Sequence, residues 1–166
     1  GRPPVRLYSS GPWQDEIDQL ATDLIEIKAL GPEIGKASAL KMVYASMTKG
    51  THALRAASVL VARQLGVADE IAAEWQYSLP DVYSAMQDRI PILPPVSGRW
   101  VGEMQEIAET YKNAGLPPSF HEGAEWMYEF LSTTTLASES LDEARANGRS
   151  MDEVIDFCAE HEVDGV

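Results

Sequence analysis

Apolar and small residues recur at three-four spacing between Gly35 and Leu65, as Leu40, Met47, Leu54 and Val61 and as Val43, Gly50 and Ala57. Held for about six turns without a proline, that period predicts one long buried helix rather than strands. It would span on the order of 45 Å, and other helices would pack around it. Gly50 is its one interior glycine and costs about 1 kcal/mol against alanine there, so close approach of a neighbouring helix is expected at that point.

Before this stretch the pattern has a different period. Val5 to Ser9 and Leu24 to Leu30 alternate as strands do, each ending at a Gly-Pro break. Asp15 to Asp23 between them reads as a short helix. Such a strand–helix–strand piece is too short to bury a sheet alone, so a partner is expected for it.

After Gly66 the period is helical again. Ala68 to Tyr77 reads as a helix, and Ser78 is expected to cap the next one, with Pro80 and Asp81 in its first turn. Pro91 to Gly98 reads as a stiff extended connector. Arg99 to Ala114 follows as a helix with Trp100, Met104, Ile107, Ala108 and Tyr111 on one face and Gly115 as its stop. Ser119 and Glu122 have capping-box spacing before a helix expected to turn Phe120, Ala124, Met127 and Leu131 inward. Thr133 to Asn147 carries no clear period. Ser150 and Glu153 repeat the capping-box spacing before a last helix ending near Glu160. The fold expected is mainly all-α, with a short α/β piece in front: 1–32 as the end of a truncated domain and 33–166 as a helical domain.

The 166 residues suffice for one ordinary domain with a real core. No apolar run approaches the roughly 18 residues of a membrane span, and no signal-peptide core is visible, so a cytoplasmic location is expected. The chain begins without a Met, which suggests a fragment or a processed chain. Cys158 is the only cysteine, so no internal disulfide can form, and its apolar surroundings suggest a core position. A net charge of −13 argues against nucleic acid and against an anionic membrane surface as partners. Yet between Ile34 and Ala68 there is no Asp or Glu, while Lys36, Lys41, Lys49, Arg55 and Arg63 fall there.

On a uniform helical wheel Thr48, His52, Arg55 and Arg63 lie within about 40° of Lys41, opposite the apolar stripe. One reading is a cleft wall for a small anionic substrate, with Lys41 as acid/base, its proton affinity lowered by neighbouring cations or by burial. The other is the solvated face of an amphipathic helix. The missing acids, and the small Ala37 and Ala45 one turn either side of Lys41, favour the first. His121 and Glu125 stand four apart as a metal pair would, but the chain has three histidines and no ligand pattern, so no metal site is expected. His121 is expected to pack or hydrogen bond. No glycine-rich phosphate loop or nucleophile elbow is present.

GKASALKMVYASMTKG, residues 35–50, resembles the start of the helical C-terminal domain in the β-hydroxyacid dehydrogenase superfamily, which includes 6-phosphogluconate and 3-hydroxyisobutyrate dehydrogenases. GEMQEIAETYKNAGLPPSFHEG, residues 102–123, is similar to a later motif of a branch whose C-terminal domain has no assigned function. The resemblance covers about Val5 to Phe130. It implies a 6-phosphogluconate dehydrogenase C-terminal-like helical domain following a Rossmann domain that binds NAD or NADP, with VRLYSS and LIEIKAL as that domain's last strands. It puts Lys41 at the position of the catalytic lysine, which passes a proton to or from the substrate oxygen or nitrogen. The family's Asn positions one turn on are Tyr44 and Ala45 here. Ser38, Tyr44, Thr48, His52 and Arg55 are the candidate substrate-binding residues. A homodimer through the helical domains is implied, as is inactivity of this chain without the Rossmann domain. A non-catalytic helical dimerisation or ligand-binding module is the alternative.

Overall fold

The computed structural model describes residues 3–161. The chain divides into two compact units, Gly1–Ala45 and Ser46–Val166.

In the first unit, β1 (Val5–Ser9), α1 (Gln14–Asp18), β2 (Ile25–Ala29) and α2 (Lys36–Ala45) follow in order. The two strands pair in parallel, with Val5 opposite Ile25 and Ser9 opposite Ala29. Parallel pairing needs a crossover, and α1 supplies it. This helix is shorter than its pattern suggests, because Gln19 and Leu20 close it as a turn. Gly11 takes φ +123° and donates its N–H to the Gly31 carbonyl at 3.0 Å, a backbone position that an L side chain rarely adopts. The start of α2 is held by the Ala37 N–H, which donates to Ser10 Oγ at 3.0 Å.

The second unit is helical. A π-helical turn, Ser46–Gly50, precedes α3 (Thr51–Gln64), α4 (Ala68–Ser78) and α5 (Pro80–Arg89). A 3₁₀ turn, Ile90–Ile92, leads into α6 (Pro94–Asn113) and α7 (Ser119–Thr133). After a second 3₁₀ turn, Thr135–Ser138, α8 (Leu141–Asn147) and α9 (Met151–Ala159) complete it. The hairpin of α6 and α7 is the centre of the unit, with α3 packed on α7 and α9. Leu93, Met104, Ile107, Met127, Tyr128, Val154, Ile155 and Cys158 are among its fully buried members. The Tyr128 hydroxyl donates to the Lys49 carbonyl at 2.6 Å, tying the π turn to α7.

The mainly all-α architecture matches the sequence expectation, but four local readings are corrected. First, residues 91–98 are not an extended connector. Pro94 and Pro95 open α6, where a missing N–H costs nothing and the ring presets a helical φ. Second, Ser78 does not cap α5: its hydroxyl turns back to the Glu74 carbonyl at 2.8 Å inside α4. Third, Ser119 and Glu122 form no capping box, because Pro118 is already helical at φ −77° and ψ −12° and Ser119 falls inside the first turn. Phe120, beside it, is 80% exposed rather than inward. The same Ser-x-x-Glu spacing does form full capping boxes at Ser140/Glu143 and Ser150/Glu153.

Fourth, the faces of the expected long helix are exchanged. Lys36 to Gln64 is helical throughout, but as α2, the π turn and α3. The stripe expected to be buried is exposed: Met47 at 74%, Leu54 at 59% and Val61 at 55%. What α3 buries is Ala53, Ala56, Val59 and Ala62. Small side chains let the helix lie close to α7 and α9, and close packing adds many small dispersion contacts.

Candidate functional site

Ser38, Lys41 and Tyr44 belong to α2 in the first unit, and all three are exposed. The Lys41 ammonium makes no hydrogen bond or ion pair among the described residues. The burial expected around it is absent. Thr48, His52 and Arg55 belong to the second unit and are half-buried.

His52 is turned into that unit. Its ring stacks on Trp100 with centroids 6.4 Å apart and an interplanar angle of 18°. Nδ1 is buried without a hydrogen-bond partner. Burial, then the positive charges of Arg89 and Arg55, push its proton affinity down to about 4. His52 is therefore neutral near pH 7. Trp100 also meets Tyr128 edge-on at 5.3 Å and carries the Lys49 ammonium over its ring at 5.4 Å. Lys49 pairs with Glu103, and Arg63 with Asp156. Much of the cationic face read from the sequence is thus engaged in packing within this unit.

A different cluster lines a cavity of the second unit. The cavity is about 610 Å³ and is walled by the π turn and α3 on one side and by α6 and α7 on the other. Ser46 Oγ lies 2.8 Å from the Tyr111 hydroxyl and 2.9 Å from His121 Nε2. The Tyr111 and His121 rings are 4.4 Å apart. His121 is 4% exposed, its Nδ1 has no partner, and burial lowers its proton affinity. Gly50 faces His121, and a Cβ there would stand 3.6 Å from Nε2. The close approach expected at Gly50 is that of this imidazole on α7. Met47, Leu54, Phe120 and Met127 supply apolar surface, and no charged side chain among the described residues lines the space.

His121 hydrogen bonds, as the sequence suggests. Glu125 accepts from Gln105 Nε2 at 2.6 Å instead of sharing a ligand with it. Ser46 and Tyr111 escape sequence reading. They lie 65 residues apart, and only the packing of the π turn against the α6–α7 hairpin brings them together. Among the described residues there is no group of three or more His, Cys, Asp or Glu able to hold a metal, and no helix long and apolar enough to cross a membrane.

Two solved structures share this fold. A conserved hypothetical protein from Sinorhizobium meliloti 1021 aligns with a TM-score of 0.73 and 23% identity, covering 95% of this chain and 52% of its own. A conserved protein of unknown function, described as structurally similar to 3-hydroxyacid dehydrogenases, aligns with a TM-score of 0.63 and 23% identity, covering 89% of this chain and 53% of its own. The chain thus spans about half the length of these solved proteins. No curated protein matches it. Residues 62–131, which run from the end of α3 through most of α7, match the family described as Domain of unknown function (DUF1932).

Proposed function

We propose that this chain is the C-terminal part of an NAD(P)-dependent oxidoreductase of the hydroxyacid dehydrogenase kind, with Lys41 as its acid/base. The observation that carries the reading is an exposed lysine, free of any ion pair among the described residues, on a helix without acids. Its position within GKASALKMVYASMTKG and the fold shared with the solved proteins support it.

Among the described residues no glycine-rich turn forms a cradle for a dinucleotide. The turn from β1 into α1 reads Ser10-Gly11-Pro12-Trp13, with one glycine and no glycine-rich approach to a helix N-terminus. The cofactor is therefore assigned to a Rossmann domain outside this chain, and this chain alone does not turn over. The role left to its own residues is proton transfer between Lys41 Nζ and the substrate oxygen or nitrogen, with Ser38 and Tyr44 on the same helix as candidates for holding a small anionic substrate.

Self-association belongs to the same proposal. Met47, Leu54, Val61 and Leu65 leave large apolar surface exposed from the π turn through α3 to its C-terminal end in the second unit. A homodimer would cover it. A single mass for the monomer in light scattering would remove this part of the proposal.

The test of the chemistry uses the longer protein carrying this segment. Hydroxy acids and imines are offered with NAD and with NADP, to the parent and to Lys41→Met. Loss of general acid–base catalysis should lower kcat/KM by about 100-fold or more. A variant that turns over like the parent would remove the acid/base assignment. It would leave the non-catalytic module, which Tyr44 and Ala45 in place of the Asn residues favour.

A further inference from the structure

The hydrogen-bonded chain of His121, Ser46 and Tyr111 can run in either of two directions. If His121 carries its proton on Nδ1, Tyr111 donates to Ser46 and Ser46 donates to Nε2. That leaves a buried N–H without a partner, at a cost of about 1–3 kcal/mol. If the proton is on Nε2, that nitrogen donates to Ser46, whose own hydrogen has no acceptor but the Tyr111 oxygen among the described residues, so Ser46 donates to Tyr111. The unpaired atom at Nδ1 is then only an acceptor, which proteins leave unsatisfied more readily than a donor. The second direction frees the Tyr111 O–H as a donor, and Tyr111 and Ser46 both line the cavity. The Tyr111 hydroxyl makes no other hydrogen bond among the described residues.

The rest of the lining narrows the class of ligand. About 610 Å³ lies within the roughly 300–1,000 Å³ of small-molecule sites, which are mostly apolar with a few fixed polar groups. Among the described residues no Lys, Arg, Asp or Glu lines the space, so a charged ligand group would lose its water and gain no counter-charge from them. The π turn is a second pointer. π segments are rare and frequent at functional sites, and this one contributes Ser46, Met47 and Gly50 to the wall. Gly50 has no side chain to fill the space beside His121.

We propose that this cavity binds a neutral carbonyl compound with an apolar body, whose carbonyl oxygen accepts a hydrogen bond from the Tyr111 hydroxyl. Ser46 and His121 are positioning residues: they orient that hydroxyl and do not touch the ligand's reacting atoms. The site lies wholly within the second unit and stands independently of the role given to Lys41.

Acetophenone, ethylbenzene and benzoate, titrated into the full chain and followed by ligand-observed NMR, test this. Acetophenone should bind about tenfold tighter than ethylbenzene, which matches one neutral hydrogen bond of about 1.4 kcal/mol. Benzoate should bind more weakly than acetophenone. Tyr111→Phe should bring acetophenone down to the level of ethylbenzene and leave ethylbenzene unchanged. Ala57→Phe, which fills the cavity wall, should abolish both. Lys41→Met should bind acetophenone as the parent does, whatever its effect on turnover. Thermal melts establish that each variant is folded, and Ser46→Ala, which cuts the chain of hydrogen bonds, takes the place of Tyr111→Phe if the latter is not. Failure of acetophenone to bind the parent overturns the proposal, including the case in which a second copy fills the cavity. So does equal affinity for acetophenone and ethylbenzene, or an affinity for acetophenone that survives both Tyr111→Phe and Ser46→Ala.

Discussion

His52 should make this protein lose stability in mildly acidic solution. In the folded chain its proton affinity falls from the ordinary 6.5 to about 4, chiefly by burial and then by Arg89 and Arg55. The unfolded chain therefore takes up a proton across that window while the folded chain does not. Stability is full above about pH 6.5 and falls as pH drops toward 4. The gap corresponds to at most about 3 kcal/mol, and partial solvent access at the ring reduces this to about 1–2 kcal/mol. His52→Phe keeps a ring against Trp100 and removes the titration. Urea unfolding followed by tryptophan fluorescence, from pH 7.5 to 4.5, gives the difference in stability between parent and variant. That difference should shift in favour of the variant by about 1–2 kcal/mol as the pH falls. Losses from carboxylates such as Glu139 and Glu153, whose partners hold them below the usual range, are common to both proteins and cancel. Arg89→Met should move the folded-state protonation of His52 to higher pH and reduce the loss, by removing one of the charges that resists it. Parallel curves for parent and His52→Phe would refute the argument.

Two further outcomes rest on local geometry. Ser150→Ala should destabilise the protein by about 1 kcal/mol in urea titration, because Ser150 closes a complete capping box, whereas Ser119→Ala, with the same sequence spacing and no cap, should cost almost nothing. Cys158 is fully buried and its thiol is pushed up to about 11 by that burial, so a thiol reagent should label it only at the rate of unfolding, and rapid labelling of the native protein would contradict its core position.

Periodicity reveals most of the helical segments, and the strand–helix–strand start, because those depend on local spacing; it misses the first turn of α6 and the whole of α8. What it does not show depends on partners. Three Ser-x-x-Glu motifs look alike on paper. Only Ser140 and Ser150 stand in extended backbone just outside a helix; at Ser119 the helix has already begun at Pro118. The prolines near 94 read as breakers by composition, yet at a first turn the same ring favours the helix. Ser46, Tyr111 and His121 share no spacing at all, and the cavity they line exists only once α6 and α7 fold back on the π turn.

The inverted faces of the stretch from Gly35 to Leu65 have two physical sources. Hydrophobicity ranks side chains by transfer from water, so it assigns Met47, Leu54 and Val61 to the core before Ala53, Ala56 and Ala62. A helix wedged among α5, α7 and α9 is instead selected for narrowness, and alanine is the narrow choice. Polar residues on that side are tolerated because each has an outlet: Arg63 reaches Asp156, and His52 sheds its charge and stacks on Trp100. The second source is the π turn. A wheel drawn from Lys41 to Arg63 assumes uniform turns, and a π turn carries about one residue more than an α turn, so the shared cationic face rests on a spacing the chain does not keep. Lys41, on α2, and His52, on α3, therefore call for separate experiments: turnover for the first, acid stability for the second.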